Sequence, residues 1–245
     1  LLAQTGVDGC ILLEFTPELA RLSARQFMQM LAADYGVAVL VIGYDHRFGH
    51  NRSEGFDDYV RYGRELGIEV IQAHQLPPDE SGLAVSSSRI RQLLLQGEVA
   101  EASRMLGYDY FLQGEVESGY QVGRTIGFPT ANLLPNDPFK LIPADGVYAV
   151  RVKLLDDASP AGGQYVHPET TYDGMLCIGH RPTLQNGPSR SIEVHLFDFQ
   201  GDLYHRTLRV EFVQFTRCEQ RFDSLEALRE RISLDEQEIR RLLRG

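Results

Sequence analysis

The hydrophobic pattern of this 245-residue chain changes character near Gly107, and that change limits the fold more than any single motif. Before it, helical spacing alternates with short β-branched runs. Ser23 and Gln26 form a capping box ahead of Phe27, Met30 and Leu31. Val37 to Ile42 is an unbroken apolar run, expected to be a strand buried on both faces. A polar loop, Tyr44 to Gly55, follows it. Phe56, Tyr59, Val60 and Leu66 predict a second helix, and Ile68 to Ile71 a second strand. The cluster Ser86-Ser87-Ser88 opens a helix to Leu95, Gly97 breaks it, and a further helix reaches Leu106. This order predicts an open parallel α/β sheet over residues 1–107.

After Gly107 the runs are short, β-rich and separated by Gly and Pro. They are Tyr110 to Val116, Gly146 to Leu154, Gly174 to Ile178, Ser191 to Phe199 and Thr207 to Phe215. Such spacing predicts a closed antiparallel barrel or a sandwich over residues 108–245. Asp156 to Tyr172, polar and rich in Gly and Pro, is expected to be a long hairpin excursion. Ser224 caps a helix carrying Leu225, Leu228 and Ile232, and Asp235 is expected to start another carrying Ile239, Leu242 and Leu243.

Composition removes several function classes. The formal net charge is −10, which argues against nucleic acid as a partner. Lys140 and Lys153 are the only lysines and neither follows a glycine, so there is no P-loop. Phosphate handling must then rest on arginine, backbone N–H groups, hydroxyls or a metal. Cys10, Cys177 and Cys218 have no paired spacing, which excludes a disulfide framework and a CxxC zinc site and indicates a reduced, cytoplasmic protein. No apolar run is long enough to span a bilayer. Leu1 and Leu2 begin no signal peptide, and without an initiator Met the chain is read as a fragment or processed form. His46 and His50 lie four apart in a loop without a third ligand, which argues against a metal site.

Three segments of the second half carry chemistry. Gly114, Gly119 and Gly123 with Arg124 allow backbone to approach a polyphosphate and supply charge, although plain turns have the same composition. In Gly127-Phe-Pro-Thr-Ala-Asn132, an extended chain places Thr130 and Asn132 on one face. Their hydroxyl and amide oxygens suit Mg²⁺ carried mainly by phosphates and water. A turn after proline is the plainer alternative. In the run Ser191 to Phe199, Glu193, His195 and Phe197 share one face and Ile192, Val194 and Leu196 the other. Spacing alone makes Glu193 a solvent-facing carboxylate.

The string Gly123-Arg-Thr-Ile-Gly-Phe-Pro-Thr-Ala-Asn132 resembles the signature of riboflavin kinases. Gly146-Val-Tyr-Ala-Val150, Ile178-Gly-His-Arg-Pro-Thr183, Glu193-Val-His-Leu-Phe-Asp-Phe199, Gly201-Asp-Leu-Tyr204 and Phe215-Thr-Arg-Cys-Glu219 follow in family order. The resemblance implies a six-stranded Greek-key barrel that phosphorylates riboflavin with MgATP to give FMN. It implies Glu193 as general base, Thr130 and Asn132 as metal and nucleotide ligands, and Gly114, Gly119, Gly123 and Arg124 as further nucleotide contacts. Arg181, Thr183, Arg217 and Glu219 fall on the flavin side, with ordinary surface pairing weighed as equal. A non-catalytic flavin or nucleotide sensor is the alternative from another class. Cys177 stands where asparagine is usual and His205 where glycine is usual.

The first half resembles the later part of an FMN adenylyltransferase of the Rossmann-like nucleotidyltransferase type, which makes FAD from FMN and ATP. Gly43-Tyr-Asp-His-Arg-Phe-Gly49 contributes Asp45 and Arg47, and Val85-Ser-Ser-Ser-Arg-Ile-Arg91 contributes Ser86, Ser87 and Arg89. A serine-capped helix N-terminus attracts anions, although a plain N-cap has the same sequence. The family's first strand and its His-x-Gly-His signature do not occur in the chain, so FAD synthesis is expected of a longer form. The implied partners are riboflavin, ATP and FMN, with no membrane. Weak self-association is left open.

Overall fold

The structure is a computed structural model. It describes residues 1–50, 52–75, 77, 84–118, 123, 126–155, 170–181 and 189–244. The chain forms two compact units, Leu1–Pro77 and Pro78–Gly245.

The first unit holds α1 (Pro17–Ala20), α2 (Ala24–Tyr35), β1 (Val39–Ile42), α3 (Phe56–Leu66) and β2 (Glu69–Gln72). The capping box forms as the sequence requires. Gln26 N–H donates to Ser23 Oγ at 3.3 Å, and Ser23 N–H donates to Gln26 Oε1 at 2.9 Å. β1 and β2 pair in parallel, as expected. Ala24, Met28, Ile42, Tyr59 and Ile68 make the core. Burial of β1 on both faces is corrected. Ile42 faces the helices, whereas Val41 is 63% exposed. An unbroken apolar run does not report which of its faces is covered.

The second unit begins with α4 (Ser87–Leu95) and α5 (Val99–Leu106). Six strands follow: β3 (Phe111–Glu117), β4 (Ala131–Pro135), β5 (Gly146–Leu155), β6 (Thr171–Arg181), β7 (Ser189–Leu196) and β8 (Thr207–Arg217). They close into a barrel of order β3-β4-β7-β6-β5-β8, every neighbouring pair antiparallel. The compact units divide about thirty residues before the pattern change. The reason is packing, since Leu94 of α4 and Val99 and Ala102 of α5 belong to the same core as the barrel interior. The expected excursion after Asp156 lies largely outside the described residues.

Period-two alternation gives the barrel two buried surfaces. Tyr148, Val150, Leu176, Ile178, Val194 and Phe212 point inward and join the interior. Val147, Ala149, Met175 and Phe197 point outward and are covered by Ile239 and Leu243 of α6 (Leu225–Arg244). Two C-terminal helices were expected, but α6 is one continuous helix of 20 residues. Ser224 does cap it, accepting from Ala227 N–H at 3.1 Å. Asp235 is not an N-cap. Its carboxylate is turned inward to two arginines, which removes it from competition for the backbone.

Gly114 has a structural reason of its own. It sits in β3 opposite Pro135, and a Cβ there would overlap the carbonyl of Leu134. Gly114→Ala should therefore destabilise the barrel by about 1–3 kcal/mol through overpacking, measured by urea unfolding of the whole chain.

Candidate active site

β4 and β7 meet over two register pairs, Ala131 with Val194 and Asn132 with Glu193. Thr130 immediately precedes β4, and its hydroxyl donates to Glu193 Oε2 at 3.3 Å. The carboxylate and the two hard-oxygen side chains thus come from strands adjacent in the sheet although some sixty positions apart in sequence. All three are half-buried.

Thr130 and Glu193 border a cavity of about 240 Å³ on the outer face of the barrel, and Asn132 reaches it only through its pairing with Glu193. Gly123, Thr130 and Glu193 line its polar side. Phe128, Met175, Phe222, Leu228 and Ile232 line an apolar side. The cavity is outside the barrel because the interior is already filled by side chains. A wall from α6 therefore completes it.

His195 sits one strand period from Glu193 and is buried. Its Nδ1 lies 2.7 Å from the carbonyl oxygen of Pro129. A carbonyl only accepts, so Nδ1 carries a proton. Phe128 and Phe197 hold the ring edge-on, with centroids 5.6 and 5.7 Å away. His195 thereby fixes the backbone just before Thr130. The strand alternation had already placed it beside Glu193, and that was the available signal.

Cys177 is paired across the sheet with both Glu193 and Val147. Burial, then the carboxylates of Glu219 and Glu193, push its thiol up to about 11.

Gly123 is in the lining, and its carbonyl accepts from Phe128 N–H at 2.8 Å. Gly114 is not in the lining. Gly119, Arg124 and Thr183 lie outside the described residues. Arg181 ends β6, and its side chain is outside them too. Arg217 and Glu219 both line the cavity. Arg217 is turned toward Asp235, with Nη2 donating at 2.6 Å. The absence of a side chain at Gly179 makes space for the Glu219 carboxylate.

The remaining residues separate between the two units. Asp45 and Arg47 are exposed in the loop after β1, and Arg47 lines a second cavity of about 450 Å³ with Phe15, Phe27 and Phe48. In the second unit, Ser86 caps α4 by accepting from Arg89 N–H at 3.3 Å, and Ser87 begins that helix. Arg89 lies 3.9 Å from Glu101.

Comparison with known proteins assigns both halves of the chain to families. The riboflavin kinase family model matches residues 106–243, which contain the barrel, the cavity and α6. The FAD synthetase model matches residues 1–89. A bifunctional riboflavin kinase/FMN adenylyltransferase of Listeria monocytogenes is 32% identical over 241 residues, covering 98% of this chain and 71% of its own length. The protein of the same name from Pseudomonas fluorescens is 37% identical over 231 residues, covering 94% of this chain and 69% of its own.

The chain belongs to the bifunctional riboflavin kinase/FMN adenylyltransferase family.

The kinase transfers the γ-phosphate of ATP to the 5′-hydroxyl of riboflavin, giving FMN. Its fold is shared by a crystal structure described as a macrolide-efflux protein from Streptococcus pneumoniae. That protein is 33% identical with a TM-score of 0.83, over 98% of this chain and 72% of that one. Among the described residues, no helix of the kinase is long and apolar enough to cross a membrane.

The raised thiol gives a direct test of the cavity's electrostatics. At pH 8, Cys177 should carry roughly 100-fold less thiolate than a cysteine at its ordinary value. Iodoacetamide should therefore label exposed Cys10 and Cys218 well before Cys177, as followed by mass spectrometry.

Proposed function

We propose that Glu193 is the general base of the kinase and that Thr130 and Asn132 receive MgATP beside it. The observation that carries this is the 3.3 Å contact between Thr130 Oγ1 and the Glu193 carboxylate, together with the direct pairing of Asn132 with Glu193. An alcohol beside that carboxylate can pass its proton to Glu193 as its oxygen bonds to the γ-phosphorus. The bond to the bridging oxygen then breaks and ADP leaves. Phosphoryl transfer asks mainly for positioning and charge neutralisation, and the register of two adjacent strands supplies the positioning here.

The donor set fits a magnesium ion that arrives with the nucleotide. A hydroxyl that donates to a carboxylate keeps its lone pairs for a cation, and the Asn132 amide oxygen is equally hard. Among the described residues, no cluster of three His, Cys, Asp or Glu could hold a metal alone, so phosphate oxygens and water complete the shell. Mg²⁺ there would neutralise charge on the transferring phosphoryl group.

Gly123 borders the nucleotide, and Gly119 and Arg124 are assigned to it by family resemblance. The apolar side, with Phe128, Met175, Leu228 and Ile232, takes the flavin ring, and Glu219 borders it. Arg181 and Thr183 are assigned to the flavin by resemblance. Asp45, Arg47, Ser86, Ser87 and Arg89 belong to the adenylyl-transfer half. On this reading residues 1–107 form the adenylyltransferase part and 108–245 the kinase part. Three free thiols fit a reducing cytoplasm, and the net charge of −10 argues against nucleic acid as a partner.

Glu193→Gln should lower kcat by about 10²–10⁴ while riboflavin binding persists. FMN formed from riboflavin, ATP and Mg²⁺ is separated chromatographically, and binding is read by flavin fluorescence. Full turnover by the variant removes Glu193 from the mechanism. Binding without FMN formation by the unaltered chain favours a sensor.

A further inference from the structure

The cavity's outer wall is the first half of α6, and one buried carboxylate ties that wall to the barrel. Asp235 is 2% exposed and accepts hydrogen bonds from two arginines. Arg217 Nε lies 3.0 Å and Nη2 2.6 Å from it, and Arg231 Nε lies 2.9 Å and Nη2 2.6 Å from it. Arg217 ends β8, and its Nη1 donates to the carbonyl of Cys218 at 2.9 Å. Most of its N–H groups are therefore used within the protein, which suits it to hold a segment rather than to grip a substrate.

Asp235 also stands at a junction along the helix. On its C-terminal side, Ile239 and Leu243 are buried against the barrel. On its N-terminal side, Leu228 and Ile232 line the cavity and Leu225 is 55% exposed. The anchored half and the cavity-lining half meet at this clasp. Neutralising the carboxylate would leave two guanidinium groups together without their shared counter-charge, in a partly buried place. The cavity-lining half would then lose its polar tie to the end of β8.

We propose that Asp235 is a positioning residue for the kinase reaction. By clasping Arg217 and Arg231 it fixes the first half of α6 and the turn carrying Glu219 and Phe222, and so sets the affinity for the flavin. This rests on the reading that Leu228 and Ile232 face the flavin ring. In the full chain, Asp235→Asn should raise the riboflavin KM about tenfold and change kcat less than about threefold. The Kd from riboflavin fluorescence should rise in parallel, and Asp235→Glu should recover most of the loss. Arg231→Gln, which removes one arm, should give a smaller rise in the same parameters and serves as the test if Asp235→Asn does not fold.

A lower melting temperature with unchanged riboflavin KM in the folded variants makes Asp235 merely structural and overturns the proposal. Ile232→Ala separates the two readings. An unchanged riboflavin KM in Ile232→Ala overturns the flavin wall and the proposal with it. A raised KM there, with none in Asp235→Asn, overturns the clasp alone.

Discussion

The pairing of β4 with β7 is the contact on which the closed barrel and, on the proposed reading, its chemistry depend. It comprises two register pairs, against eight between β5 and β6 and eight between β6 and β7. It is therefore the shortest seam in the closed sheet, and it is also where Thr130 and Asn132 meet Glu193. Barrel closure and assembly of the candidate site are one event, because a slip of one residue would turn Glu193 inward and Ile192 or Val194 outward. The apolar interior opposes that slip by burying Ile192, Val194 and Leu196. Hydrophobic burial thus selects the register, and the register positions the carboxylate.

Supports around the seam are correspondingly dense. His195 holds the Pro129 carbonyl, Phe128 and Phe197 hold His195, and the Phe128 N–H returns to Gly123. Beyond β7, Asp198 takes up a left-handed φ of 58°. Arg240 of α6 offsets its cost with hydrogen bonds of 2.6 and 2.9 Å to the carboxylate and lies over Phe197. These contacts hold one end of a short strand against one helix, which suits a reaction governed by positioning.

What was legible in the sequence was whatever depends on neighbours along the chain. The Ser23–Gln26 box, the Ser86 cap and the alternation from Ile192 to Phe197 are local and were realised. What misled was local pattern overridden by distant contact. Asp235 has the composition of a helix start, but two arginines far more favourable than a free N–H draw it inward. The run Val37 to Ile42 has the composition of a doubly buried strand, yet only alternate residues are covered. Gly114 has the composition of a phosphate loop, and its reason is a neighbouring strand's carbonyl. Motif order along the chain singled out Thr130, Asn132 and Glu193, which the structure brings together; it did not reveal which side of the barrel carries them.

That side follows from size. A six-stranded barrel has no lumen to spare once Tyr148, Leu176, Val194 and Phe212 occupy it, so on the proposed reading substrates bind against the outer surface. An outer surface is open to water, and phosphoryl transfer to an alcohol competes with hydrolysis wherever water reaches the phosphate. A second wall is then a chemical requirement as well as a steric one. α6 supplies it, and its amphipathic pattern divides along its length accordingly. Ile239 and Leu243 attach the helix, while Leu228 and Ile232 line the cavity, Ile232 also packing against the same core. A helix used in this way needs a fixed point between its two tasks, and a buried carboxylate shared by two arginines is a directional one that apolar packing alone would not provide.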